Sequence, residues 1–201
     1  MADLDYPARL AQLVEPGEQV LAVAKTGIAQ GALPPDPPDP QRPEPTRAGG
    51  VISGVLLNLI SPLVSFPAGD RLVDRITHGV AGRGAPGSAA STLQYARRPV
   101  PPATSIKDTI LAVTDKRFLV CESGPLKLWS NRADDERAAA GTTIVWSASR
   151  AEVAAARVGW HRLNPKRLRV DFTDGSWLAF TVPIAESGTP LREIAAALSA
   201  R

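Results

Sequence analysis

Two apolar runs joined by a charged corner form the clearest pattern in the chain. The stretch Thr109–Trp129 reads TILAVTDKRFLVCESGPLKLW, with the corner at Thr114–Arg117. Short apolar runs bounded by turn residues are typical of strands that are buried on both faces, whereas helices need longer periodic segments. The pattern therefore predicts a buried β-hairpin with strands Thr109–Thr114 and Arg117–Glu122.

Other segments have the composition and alternation of strands. β-Branched and aromatic residues recur in them, and turn-forming residues separate most of them. They are Glu18–Thr26, Thr142–Ser147, Glu152–Val158, Arg167–Thr173 and Trp177–Val182. Because strands outnumber helices along the chain, the pattern predicts an α+β fold that is mainly β.

The last two strands allow a prediction of register. A two-residue loop would place apolar Leu178 on the same face as charged residues of the preceding strand. A three-residue Thr173–Gly175 loop instead pairs Val170 with Leu178 and collects the apolar side chains on one face. It also places Gly175 at the left-handed bulge position that glycine tolerates. We therefore expect the three-residue loop, with Trp177 on the outer, charged face.

Short helices are predicted at both ends of the chain. Tyr6–Val14 carries apolar residues at helical spacing. Near the C-terminus, Thr189 suits the N-cap position and Pro190 suits the first helical position, with an apolar stripe behind them. The polar segment Asn131–Gly141 and the glycine-rich segment Arg83–Ser91 are predicted as loops.

The region between the first strand and the buried hairpin contains proline-rich segments and an uncharged apolar segment. Leu33–Pro45 is predicted as an extended polyproline-type spacer, and Tyr95–Thr104 as a proline-rich tether. Ala48–Gly69 is long enough to span a bilayer, but its apolar residues form one stripe opposite serines and glycines. We expect an amphipathic helix followed by a second helix, Asp70–Gly79. The stripe contains Val51, Ile52, Val55, Leu56, Leu59, Ile60, Leu63 and Val64.

Such a stripe must be covered by protein or lipid, because burying these side chains is worth roughly 1.5–3 kcal/mol each. Both faces of the first strand and of the buried hairpin are apolar, so the outer face of the sheet needs a cover that the stripe could supply. Another copy of the chain and a membrane surface are the other two candidates. Interfacial helices usually carry Lys or Arg on the polar face, so packing on protein is favoured here.

Four short motifs resemble bacterial PH-like (pleckstrin-homology-like, GRAM-like) domains. They are GEQVLAV in the first strand, LAVTDKRFLV in the buried hairpin, LRVDFTDGSWLAF in the last hairpin and LREIAAAL in the closing helix. The resemblance implies an antiparallel two-sheet barrel capped by the C-terminal helix. It also implies that residues 1–27 and 106–201 form the domain. Residues 28–105 would then be an insertion of proline-rich linkers and a helical hairpin.

Composition and charge narrow the functional classes. The net charge of +3 over 201 residues is mild and does not indicate a general polyanion binder. The single cysteine, Cys121, excludes an intrachain disulfide and a thiolate-rich metal site. The acidic N-terminal stretch lacks the apolar core of a secretory signal. We expect a cytoplasmic protein, with peripheral attachment at the inner face of the membrane as the alternative.

No catalytic constellation stands out in the sequence. His78 and His161 are isolated, and Cys121 lies among apolar neighbours as a small buried side chain would. Gly82–Gly87 matches G-x-G-x-x-G but follows no predicted strand and contains a proline, so a dinucleotide site is rejected. Asp134–Glu136 is interpreted as a solvated loop rather than a cation site. We expect a non-enzyme without cofactor or metal.

A basic stretch in the C-terminal half is open to two interpretations. It contains Arg150, Arg157, Arg162, Lys166, Arg167 and Arg169, with Trp160 and His161 among them. The stretch is either a patch for anionic head groups or nucleic acid, or a set of solubilising outward positions, which the sequence favours. In lipid-binding PH-like domains the loop after the first strand borders the ligand mouth, where only Lys25 is a basic candidate. The candidate binding residues are Lys25, Arg150, Arg157, Arg162, Lys166 and Arg167.

The main hypothesis is a PH-like binding or scaffolding module. Its inserted apolar helix would pack on its own sheet or mediate self-association, so its partner is a protein or a second copy. The alternative is a peripheral membrane adaptor that binds anionic lipid through the inserted hairpin and the basic stretch. Nucleic-acid binding through Arg162–Arg169 is the least favoured hypothesis, because the net charge is small.

Overall fold

The fold is α+β and consists mainly of antiparallel strands. A computed structural model describes residues 6–29, 80–97, 107–127, 131–162, 164–182 and 186–200. Its helices are α1 (Tyr6–Leu13), α2 (Ala89–Ala96), α3 (Arg132–Ala140) and α4 (Thr189–Ser199). Its strands are β1 (Val20–Ile28), β2 (Gly82–Arg83), β3 (Thr109–Thr114), β4 (Arg117–Glu122), β5 (Thr143–Ser149), β6 (Val153–His161), β7 (Asn164–Phe172) and β8 (Trp177–Thr181). The predicted helical hairpin and its apolar stripe lie outside the described residues.

The strands form one sheet in the order β5-β4-β3-β1-β8-β7-β6, and β2 also pairs with β8. Strand β1 joins the two halves of this sheet, because residues 20–26 pair with β3 and residues 27–28 pair with β8. The sheet folds back on itself. The rings of Phe118 on β4 and Phe180 on β8 meet edge-to-face at 6.3 Å, and those of Trp146 on β5 and Phe172 on β7 at 5.7 Å.

The main core lies on the inner face of this folded sheet. It combines apolar residues of β3 and β4 with those of β7 and β8, and α4 packs over them with Leu191, Ile194 and Leu198. The predicted C-terminal helix is therefore confirmed. Its start was predicted one residue late, because Gly188 is the N-cap and Thr189 is already helical.

The outer face of β3 and β4 carries a second core. Tyr6 and Leu10 of α1 and Ala139 of α3 pack on buried residues there, including Ile110 and Leu119. The prediction that this face needs a cover is confirmed, and the described cover comes from α1 and α3.

Helix α3 corrects the prediction of a loop at Asn131–Gly141. The Asn131 side chain accepts a hydrogen bond from the Asp134 N–H at 2.9 Å, which caps the helix, and Ala138 and Ala139 are buried. A strong N-cap and a run of alanines favour a helix even without an apolar stripe.

The prediction of a loop at Arg83–Ser91 is also wrong, because β2 ends there and α2 begins. The Ser88 side chain caps α2, whose Ala89 and Ala90 N–H groups donate to Asp174 and Ser176 of the β7–β8 turn at 2.7 and 3.1 Å. Helix α2 extends to Ala96, into the segment predicted as a proline-rich tether. These tertiary hydrogen bonds stabilise a helix whose sequence alone favours a turn.

The predicted register of the last hairpin is confirmed. Val170 pairs with Leu178 and Leu168 pairs with Phe180, and Gly175 has a φ of 80°. The preceding hairpin is longer than predicted, because β6 extends to His161 and β7 begins at Asn164.

Both ends of the long segment 30–79 meet at one residue of β8. The Ala29 N–H donates to the Ala179 carbonyl, and the Ala179 N–H donates to the Ala81 carbonyl, each at 2.8 Å. The chain therefore leaves the sheet and returns to it at the same residue of β8. Within the described ranges, no helix is both long enough and apolar enough to cross a bilayer.

Candidate functional site

An open groove of about 350 Å³ lies beside β6, β7 and the start of β8. It is basic and aromatic in character. Its lining residues are Val80, Arg157, Val158, Gly159, Trp160, His161, Arg162, Arg167, Arg169 and Trp177.

Side chains alternate between the two faces along β7, and this places its arginines on the face that carries the groove. Leu168, Val170 and Phe172 belong to the main core, so Arg167 and Arg169, which alternate with them, face the opposite side of the sheet. The antiparallel pairing of β6 and β7 then sets Arg157 opposite Arg169. Like charges directly opposite each other on a sheet are unfavourable, so this cross-strand pair needs a compensating charge or a ligand.

Asp171 supplies part of that compensation. Its carboxylate accepts hydrogen bonds from Arg157 Nη2 and from Arg169 Nε, each at 2.8 Å. Burial alone would favour the neutral acid, but the hydrogen bonds and charges of the two arginines outweigh it and lower the pKa of Asp171. The carboxylate thus holds both guanidinium groups in place.

Trp177 forms an aromatic wall of the groove. The guanidinium carbon of Arg169 lies 4.1 Å from the centroid of the Trp177 ring, and that of Arg167 lies 5.8 Å away. Contacts at these distances are cation–π interactions. Trp177 also pairs with Arg83 of β2, so the wall is fixed by its place in the sheet.

Arg167 is the buried cation of the site. It is only 6% exposed, one of its Nη groups donates to the Val80 carbonyl, and its Nε has no hydrogen-bond partner among the described residues. No carboxylate in the described ranges forms an ion pair with it. Burial, together with the charge of Arg169, lowers the pKa of Arg167 to about 10. It therefore remains charged at neutral pH without a described counter-charge.

The tip of the β6–β7 hairpin forms the outer rim. Trp160 is 74% exposed, and its indole N–H donates to the carbonyl of Arg162. Arg162 has a φ of 52°, in the left-handed region that non-glycine residues seldom adopt. Partial burial and the charges of Arg167, Arg162 and Arg169 lower the pKa of His161. His161 is an exposed residue of this rim.

Three of the six predicted binding residues, Arg157, Arg162 and Arg167, lie together in this groove. Arg169 joins them, although the sequence interpretation did not select it as a binding residue. Sequence reasoning also missed Trp177 as part of the site, even though the predicted register already placed it on the outer face beside the β7 arginines.

The other three predicted binding residues make contacts elsewhere. Lys25 forms an ion pair with buried Asp108 at 2.7 Å. Arg150 donates to backbone carbonyls at the C-terminal end of α4, including that of Ala197. Lys166 Nζ donates to the Glu186 carbonyl. They do not line the groove.

Other candidate chemistry has a structural explanation. Cys121 is buried, and burial raises the pKa of its thiol to about 12. Asp134 on α3 forms ion pairs with Arg137 of the same helix and with Lys127, which precedes the helix. In the part of the chain that the structure describes, no cluster of three His, Cys, Asp or Glu side chains could hold a metal ion. The Gly82–Gly87 motif precedes α2, whose first N–H groups already bond to the β7–β8 turn.

Comparison with known proteins found no match for this chain among protein-family models, curated proteins or solved structures.

Proposed function

We propose that the protein is a non-enzymatic binding module whose ligand is anionic and binds in the groove between the β6–β7 hairpin and Trp177. The observation that carries the proposal is Arg167, a buried guanidinium without a described carboxylate partner. Three more arginines line the same groove, and the nearby carboxylate of Asp171 bonds to two of them.

The energetics of a buried cation support an anionic ligand. A charge removed from water destabilises the fold unless an opposite charge or several hydrogen bonds compensate for it. Arg167 has one described hydrogen bond and a ring contact at 5.8 Å. A phosphate or carboxylate group would supply both the missing charge and an acceptor for Nε. Guanidinium groups bind such planar or tetrahedral oxyanions through paired N–H donors.

The PH-like architecture is part of this proposal. It is supported by the strand order β5-β4-β3-β1-β8-β7-β6, by the β1 strand that serves both halves, and by the C-terminal helix on the inner face. In this architecture the groove lies on the outer face of the second half. Lys25, the sequence candidate beside the loop after the first strand, does not line the groove, whereas Val80 from the connection between β1 and β3 does.

Calorimetric titration with inorganic pyrophosphate at low ionic strength tests the proposal. We expect saturable binding to the wild-type chain and at least a tenfold loss of affinity in Arg167→Gln. Arg132→Gln is the matched control, because Arg132 is exposed on α3 and pairs only locally with Glu136. Binding that is absent in the wild type, or equal in all three proteins, would contradict an anion site in this groove.

Self-association through the apolar stripe remains a second candidate. Buried residues on the outer face of β3 and β4 already pack against α1 and α3. The area of this face that the stripe could cover is therefore smaller. We propose that the stripe, from Val51 to Val64, contacts a second copy. Light scattering of the wild type and of Leu56→Glu/Leu59→Glu tests this. A monomeric wild type would end this proposal.

A further inference from the structure

We infer that the anion is the phosphate of a nucleotide, free or within a single strand, whose base stacks on Trp160. This inference rests on the proposed anion-binding function and names its ligand class. It departs from the expectation that nucleic acid is an improbable partner. The reason is a juxtaposition that the sequence did not reveal, in which an exposed, fixed indole lies beside a recessed, charged guanidinium.

Trp160 has the properties of a stacking platform. An indole that is 74% exposed is unusual here, because most other large apolar side chains in the described ranges are buried or half-buried. Its N–H is bonded to the Arg162 carbonyl, which restrains the ring at the hairpin tip. A restrained ring loses little entropy when a planar partner stacks on it, and base–aromatic stacking contributes roughly 1–3 kcal/mol per base.

The same hydrogen bond argues against Trp160 as a membrane anchor. Indoles at the bilayer interface are favoured because the ring is apolar while the N–H bonds to water or head groups. Here the N–H is bonded within the turn. The ring therefore offers a hydrophobic π-surface without a polar edge, which suits a base better than a lipid head group.

The number of uncovered aromatic rings in the groove determines how many bases of a ligand can stack there. Arg169 lies over the ring of Trp177 at 4.1 Å and covers it with a cation. Trp160 thus remains as the open indole among the groove residues, and the adjacent His161 offers only a smaller imidazole ring. Proteins that track along a strand use successive aromatic platforms, so one platform indicates one stacked base.

The phosphate subsite is the recessed part of the groove. Arg167 contributes charge and an unbonded Nε, while Arg157 and Arg169 are held by Asp171. Stacking tolerates every base, because each has a π-face. We therefore expect similar affinities for purine and pyrimidine nucleotides, with purines slightly favoured by their larger ring.

The experiment compares ribose phosphates with and without a base, and a single nucleotide with a strand. AMP, UMP, ribose 5-phosphate and a six-residue oligo(U) are titrated into the full chain by calorimetry. The proteins are the wild type, Trp160→Ala, Trp160→Phe, Arg167→Gln and Arg132→Gln. We expect AMP to bind the wild type roughly tenfold more tightly than ribose 5-phosphate. This advantage should disappear in Trp160→Ala, persist in Trp160→Phe and be unchanged in Arg132→Gln. Arg167→Gln should weaken all four ligands.

The outcomes separate the two proposals. Equal binding of AMP and ribose 5-phosphate to the wild type overturns the nucleotide inference and leaves the anion site standing. Failure of every phosphate to bind overturns both. Oligo(U) that binds more tightly than UMP identifies a strand as the source, and equal or weaker binding identifies a free nucleotide. Flotation with phosphatidylserine vesicles that depends on Trp160, without any advantage of AMP, would replace the inference by a lipid surface.

Discussion

Arg117 and Glu18, 99 positions apart in the sequence, form an ion pair in which Arg117 Nε donates to Glu18 Oε1 at 3.0 Å. The Glu18 carboxylate is fully buried and also accepts hydrogen bonds from the Thr114 hydroxyl and the Glu15 N–H. These bonds link the segment before β1 to the turn of the β3–β4 hairpin. The hydrogen bond from Arg117 is the main reason that the pKa of Glu18 falls to about 2, against the burial that would raise it.

This pair predicts a loss of stability in acid. A carboxyl group whose pKa is lower in the folded state contributes its stability above its unfolded pKa, near 4.5, and loses it as the pH falls towards 2. The contribution at neutral pH is on the order of 2–3 kcal/mol. In urea unfolding, the free energies of unfolding of the wild type and Glu18→Gln should differ at pH 7, and this difference should shrink below pH 4.5 and be largely lost only at about pH 2 and below.

Glu136→Gln is the control for this experiment, because Glu136 forms an exposed ion pair on α3. Exposed pairs contribute about 0–1 kcal/mol, so this variant should stay close to the wild type. If the difference in free energy of unfolding between the wild type and Glu18→Gln does not change with pH, packing rather than charge explains the loss of stability.

A second prediction concerns the left-handed turn at Arg162. A non-glycine residue at a φ of 52° is strained by roughly 1 kcal/mol, and glycine removes that strain. Arg162→Gly and Arg162→Ala remove the same side chain, so their difference isolates the backbone. We expect the glycine variant to be about 1 kcal/mol more stable than the alanine variant in chemical denaturation. Equal stabilities would mean that the turn adapts to the side chain.

The local parts of the fold could be predicted because the sequence encodes them locally. The bounds of β3 and β4 agree with the prediction, since an apolar run and a charged corner define both ends. The register of the last hairpin followed from one glycine and from the need for a single apolar face. Helices α2 and α3 were missed because a serine or asparagine cap and contacts distant in sequence stabilise them, rather than an apolar stripe.

The candidate site could be predicted only in part. The sequence identified the basic stretch, but it could not tell which cations share a face. That depends on the pairing of β6 with β7, which sets Arg157 opposite Arg169 and is shifted by irregularities at both ends. It also depends on Val80, which returns to the sheet after a long segment and bonds to Arg167. Neither relationship can be inferred from the alternation of polar and apolar residues within a single strand.

Helix α1 predicts a stability effect at the outer face of the sheet. Leu10 is fully buried there and packs against residues of β3 and β4. Truncation of a buried leucine to alanine typically costs about 2–5 kcal/mol, because it removes contacts and leaves a cavity. Leu10→Ala should therefore lower the free energy of unfolding by at least about 2 kcal/mol.

The control is Leu21→Ala on β1, where the side chain is 49% exposed and the loss should be below about 1 kcal/mol. Equal losses would contradict the assignment of α1 as a cover.

The final prediction compares two arginines of low exposure, one with a carboxylate partner and one without a described carboxylate partner. Arg97 pairs with Glu122 and donates to Thr109 at 2.6 Å, so Arg97→Met should cost about 1–2 kcal/mol by removing both contacts, although Lys107 still pairs with Glu122 at 2.7 Å. Arg167 has no described carboxylate partner, so Arg167→Met should change stability by less than about 1 kcal/mol, or raise it, while pyrophosphate binding is lost. Chemical denaturation and calorimetry on the same samples measure both effects. A large loss of stability in Arg167→Met would mean that this guanidinium serves the fold, and the groove would then need another explanation.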